Sequence, residues 1–101
     1  MAITLIDTEA SAGGTSLVGY IKTNYNDLVE VFGEPRYTSS GDDKVTAEWN
    51  LEFLVDDEYV TATIYDWKLG HTPYRTYDWH IGGFSAQAAN VVEKYMKDAN
   101  A

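Results

Sequence analysis

The sequence contains no cysteine, two prolines, two histidines and only seven basic residues. Without cysteine there is no disulfide scaffold, no thiolate zinc site and no cysteine nucleophile. The two histidines, His71 and His80, form neither an HxH nor an HxxxH pair, so a metal site would need carboxylates converging from elsewhere. Seven Lys and Arg stand against sixteen Asp and Glu, giving a net charge of −9 and a pI near 4.3. Nucleic acid and anionic membrane surfaces repel such a chain. No apolar run approaches the roughly 20 residues that span a bilayer. The first residues, Met1 to Asp7, lack the basic region of a signal peptide. The expectation is a cytoplasmic protein with no bound cofactor or metal, no membrane and no direct nucleic-acid contact.

Aromatic residues are plentiful instead: eight Tyr, three Trp and three Phe argue against disorder. A chain of 101 residues fits one domain, large enough to bury roughly 60–70% of its unfolded surface. Residues 1–16 read as a flexible or strand-like N-terminal segment, with Ser11 to Ser16 small and Gly-rich. Residues 17–101 read as a single α+β domain.

Leu17 to Lys22 has the β-branched and aromatic content of a strand. Asn24 then offers an N-cap, and Asp27 three residues later supports a capping-box-like start. Tyr25, Leu28, Val29 and Phe32 fall on one helical face. Gly33 and Pro35 end that helix. Ser39 to Asp43 reads as a loop. From Val45 to Val55 apolar and mainly polar residues alternate, the pattern of a strand with one buried face. The chain turns at Asp56-Asp57-Glu58 and returns from Tyr59 to Lys68. A hairpin with Asp57-Glu58 at its tip sets Val55 opposite Val60, Phe53 opposite Ala62, Leu51 opposite Ile64 and Trp49 opposite Asp66.

After a loop from Leu69 to Thr76, Tyr77 to Ile81 reads as another strand, ended by Gly82-Gly83. Ser85 caps a last helix from Ala86 to about Asp98, with Ala88, Val91, Val92, Tyr95 and Ala99 as its apolar stripe. The order β-α-β-β-β-α predicts an antiparallel sheet of about four strands with two helices packed on one face.

Five segments together resemble a family of small uncharacterised bacteriophage proteins. They are Gly19-Tyr20-Ile21, Asp27 to Pro35, Val45 to Trp49, Ala62 to Lys68 and Trp79 to Gly83. The resemblance runs from about Gly14 to Val92 and implies a phage origin, hence the cytoplasm of a bacterial host, and no catalytic residues. The Phe32-Gly33-Glu34-Pro35 junction is also locally similar to the helix-then-sheet units of the beta-lactamase-inhibitor-like fold.

Three features bear on chemistry. Asp66 falls on the core face, where a carboxylate must be hydrogen-bonded or paired. The Trp49 indole, a Tyr hydroxyl or Arg75 would serve structurally, and a general base with a raised pKa is the functional alternative. Gly82-Gly83 before a helix reads as a turn rather than an anion site. Trp67, Tyr74 and Tyr77, with Tyr65, gather around the loop that carries Arg75. They read either as cover for a small core or as interface anchors. Residues 42–58 hold Asp42, Asp43, Glu48, Glu52, Asp56, Asp57 and Glu58 against Lys44 alone. Glu48 and Glu52 share one strand face about 13 Å apart, so the hairpin presents a negative stripe.

The leading expectation is a phage accessory protein that is not an enzyme. It binds a bacterial protein with a basic or nucleic-acid-binding site and inhibits it, through Glu48, Glu52, Asp56, Asp57 and Glu58 or through Trp67, Tyr74, Arg75 and Tyr77. A small-ligand-binding or enzymatic domain using the aromatic loop and Asp66 is the alternative, and a structural or virion-associated protein is a third.

Overall fold

In the computed structural model of the chain, residues 2–11, 13–37, 45–67 and 72–99 are described. In chain order they form β1 (Ile3–Asp7), β2 (Ser16–Thr23), α1 (Tyr25–Phe32), β3 (Arg36–Tyr37), β4 (Ala47–Val55), β5 (Glu58–Tyr65), β6 (Tyr77–Gly83) and α2 (Gln87–Ala99). Five strands make an antiparallel sheet in the order β1-β4-β5-β6-β2, and the two-residue β3 joins β4 off this path. The fold is α+β, as expected, with one strand more because the N-terminal segment joins the sheet. Residues 38–44 and 68–71, which include the expected Ser39–Asp43 loop, Asp42, Asp43 and His71, lie outside the described residues.

The outer edge of β4 is shared. β1 pairs with it from Glu52 to Val55, and β3 pairs with Ala47 and Glu48. Between them the Ala10 N–H donates to the Asn50 carbonyl at 3.2 Å.

Local chemistry explains α1. The Asn24 side chain accepts from the Asp27 N–H at 2.8 Å and donates to its carboxylate at 3.3 Å. At the other end Gly33, at φ 85°, donates its N–H to the Val29 carbonyl at 2.8 Å, a position where a side chain would be strained. Tyr25, Leu28 and Phe32 turn inward. Each buried apolar side chain of this size contributes about 1.5–3 kcal/mol. The Trp49 indole N–H donates to the Gly33 carbonyl at 2.8 Å, so β4 holds the helix end.

Both helices lie on one face. Phe32 of α1 meets Phe53 of β4 and stacks on Tyr95 of α2, while α2 packs across β2, β5 and β6. Trp49, Leu51, Phe53, Ile64, Trp79 and Ile81 from the sheet are fully buried against Leu28, Val91 and Val92. Among the described residues the other sheet face carries no helix, although Asn50 and Thr63 on it are buried.

Three expectations need correction. The hairpin register differs by two residues: Val55 pairs with Glu58, Phe53 with Val60, Leu51 with Ala62 and Trp49 with Ile64. The tip is Asp56-Asp57, with φ of 47° and 73°, the two left-handed residues of a type I′ connection, whose twist suits paired strands. Gly82-Gly83 does not end the strand but belongs to β6. A Cβ on Gly83 would lie 2.4 Å from Ala88 Cβ, so its bareness lets α2 rest on the sheet. Finally, α2 starts at Gln87, one residue later than expected, and buries Met96 where Ala99 was expected.

Candidate functional site

Strand register assembles a row across the sheet face that carries neither α1 nor α2, beside the buried Asn50 and Thr63. Arg36 of β3 pairs with Glu48 of β4, Glu48 with Tyr65 of β5, Tyr65 with His80 of β6 and His80 with Tyr20 of β2. Directly opposed residues share a sheet face, so one pair of charged residues continues into three adjoining rings. Tyr20 meets His80 edge-on at 4.9 Å, and Tyr65 lies at 5.4 Å from it with the planes 30° apart. Trp67, just past β5, adds its ring at 6.2 Å from Tyr65 and 6.4 Å from His80. Tyr20 is 56% exposed and Trp67 39% exposed.

Hydrogen bonds fix this row. The Trp67 N–H donates to the Tyr77 hydroxyl at 3.2 Å, and that hydroxyl lies 3.4 Å from His80 Nδ1. Burial lowers the His80 pKa from 6.5, with Asp66 pulling the other way. With its proton on Nε2, the neutral His80 ring accepts the Tyr77 O–H at Nδ1. Burial, then Tyr20 and Glu48, raise the Tyr65 hydroxyl above 10.0. Burial also raises Tyr77, against the opposing bond from Trp67. Tyr65, Tyr77 and His80 are therefore neutral at physiological pH, and the row's formally charged residues are Glu48 and Arg36.

Asp66 is fully buried but does not oppose Trp49. Its carboxylate accepts from the Thr46 N–H at 2.8 Å, the Ala47 N–H at 3.0 Å and the Thr46 hydroxyl at 2.5 Å. Thr46 in turn bonds the Thr72 hydroxyl at 2.8 Å. Trp49, Tyr hydroxyls and Arg75 are not these partners. The acid ties the end of β5 to the start of β4 and to the loop beyond.

The sequence-expected residues separate into two places and a remainder. Glu48, Trp67 and Tyr77 come together at the aromatic end. Asp56, Asp57 and Glu58 sit at the far end of β4, eight residues from Glu48 for Asp56, or about 26 Å at the strand rise. Glu52 lies between, opposite Asp7 of β1. The Asp56 carboxylate accepts from the Ala2 N–H at 3.1 Å. Tyr74, although exposed, leans on Tyr25 of α1 at 4.8 Å, so it belongs to the helix side. Arg75 is exposed beside it. Tyr20 was not expected here; only the pairing of β2 with β6 brings it to His80.

Two clefts flank Glu48. One of about 230 Å³ runs between Glu9, Glu34, Arg36, Glu48 and Asn50. The other, about 220 Å³, opens between Val45, Glu48, Thr63, Tyr65, Trp67 and Gly82. Both fall below the roughly 300–1,000 Å³ of small-molecule sites. Among the described residues no three His, Asp or Glu side chains gather as a metal site, and no helix is long and apolar enough to cross a membrane. No family model, curated protein or solved structure matches the chain.

Proposed function

We propose that the protein is a binding module: a small acidic phage accessory protein that docks on a bacterial protein at a basic or nucleic-acid-binding site and inhibits it. The observation that carries this reading is the one-sided architecture. Both helices cover one sheet face, and the other displays an aromatic row ending in a carboxylate, on a chain of net charge −9. Exposed aromatics supply anchor area, and complementary charge supplies approach and selectivity. The buried, hydrogen-bonded state of Asp66 favours this reading over an enzyme built on that acid. Its carboxylate is occupied by two N–H groups and a hydroxyl, and Asp66 lines neither cleft beside Glu48.

The test is capture of bacterial proteins on the immobilised chain, followed by association kinetics with the purified partner at low and high salt. The expected partner is basic, and its association slows with salt. Replacing Glu48 and Glu52 together with Gln should slow association chiefly at low salt, because both sit on the face away from the helices. Association that ignores both salt and the double substitution would refute electrostatic docking. A folded chain that turns over a substrate would refute the binding-module reading itself.

A further inference from the structure

The cleft between β4, β5 and Trp67 has a composition that selects its occupant. Gly82 lines it beside Thr15 and Ser16, and its bareness lets the Thr63 hydroxyl pack where a Cβ would lie only 2.6 Å away. Tyr65 and Trp67 supply aromatic surface, their centroids 6.2 Å apart and their planes at 73°. Among the described lining residues Glu48 is the one that carries a charge. Aromatic faces and a carboxylate both attract a cation. The volume of about 220 Å³ suits one side chain rather than a cofactor.

We propose that this cleft seats an arginine side chain of the partner protein, its guanidinium stacked on Tyr65 or Trp67 and donating to the Glu48 carboxylate. The proposal rests on the docking reading above and names the contact that reading lacks. Arginine fits better than lysine, because its planar group stacks on rings and donates two parallel hydrogen bonds to one carboxylate. A phosphate or a nucleic-acid backbone would meet Glu48 as a like charge. Arg36 flanks Glu48 on the β3 side, within the neighbouring cleft. That leaves the Tyr65 side of the carboxylate for the incoming group.

The experiment titrates the ¹⁵N-labelled chain with a blocked Gly-Gly-Arg-Gly-Gly peptide and with its citrulline counterpart, which keeps the shape and removes the charge. The expected result is movement of the Trp67 indole and Tyr65 amide signals with the arginine peptide. Affinity should fall about three- to fivefold with citrulline and by a similar factor in Glu48→Gln, since each contact is a partly exposed one. Trp67→Ala should weaken binding comparably, and Glu48→Gln keeps the test sound if that variant folds poorly. Equal shifts with both peptides, or shifts confined to the Asp56–Glu58 turn, would overturn the arginine seat. So would full arginine affinity in Glu48→Gln. A purified partner that still associates in a salt-dependent manner with Glu48→Gln and Trp67→Ala would sink the seat while leaving the docking reading intact.

Discussion

Asp66 and His80 differ in what their surroundings ask of them. Asp66 satisfies two backbone N–H groups that β4 cannot pair at its start, Thr46 and Ala47. Asp66→Ala leaves both donors without an acceptor in a buried place, at about 1–3 kcal/mol each. A loss of roughly 2–5 kcal/mol is expected from urea unfolding, and stability within about 0.5 kcal/mol of wild type would remove this role. His80 acts through pH. Its folded pKa lies below 6.5, so between that value and 6.5 the unfolded chain binds more protons than the folded one. Stability then rises with pH through this window. The contribution is complete above 6.5 and is lost as pH falls toward the folded value. From about pH 7.5 to about pH 5, wild type should lose stability more steeply than His80→Gln, which does not titrate. Parallel slopes would show that the ring is not held neutral by the fold.

At the scale of elements, α1 was legible because its signals are local: the Asn24 cap, the Gly33 terminus and the spacing between them need no distant partner. The hairpin was legible in its strands and faces but not in its register. Sliding β5 by one residue would turn its apolar side outward, whereas sliding it by two keeps every side chain on its face. The alternating pattern therefore admits both registers, and the turn decides between them. Asp56 and Asp57 both adopt positive φ, where Asn and Gly are the easier residues. Replacing the pair with Asn-Gly should stabilise the hairpin by about 0.5–1 kcal/mol, read as a higher urea midpoint. A lower midpoint would argue for the turn one residue later. Gly83 was misread because its reason is non-local: Ala88 of α2 approaches its bare backbone. Gly83→Ala should cost about 1–3 kcal/mol through overpacking, while Gly13→Ala, with nothing within 4 Å, should change little. The candidate site was half legible for the same reason. Glu48 and Trp67 follow from β4 and β5, but Tyr20 reaches His80 only once β2 and β6 pair.

The whole molecule carries its charge unevenly and at close quarters. It measures 37 × 30 × 20 Å. At about 0.01 M salt the Debye length is roughly 30 Å, so each charge senses nearly all the others. At about 0.15 M it is roughly 8 Å, and only neighbours interact. A net charge of −9 therefore opposes the compact state most strongly at low salt, since unfolding separates like charges. Glu52 makes this local as well, because Asp7 stands directly across from it, an arrangement that costs about 0.2–1 kcal/mol. Two expectations follow from the distances alone. The urea midpoint of the wild type should rise between about 0.01 M and about 0.15 M sodium chloride. In a variant carrying Glu52→Gln, Asp57→Asn and Glu58→Gln, the charge becomes −6 from −9. Its midpoint should lie above wild type at low salt and approach it at higher salt. None of the three side chains belongs to the buried core, so the comparison isolates charge from packing. A variant that gains equally at both salt concentrations would locate its effect in the turn rather than in repulsion. A wild type indifferent to salt would mean that its carboxylates are already balanced by their neighbours, which would leave the chain little long-range field with which to steer an approaching molecule.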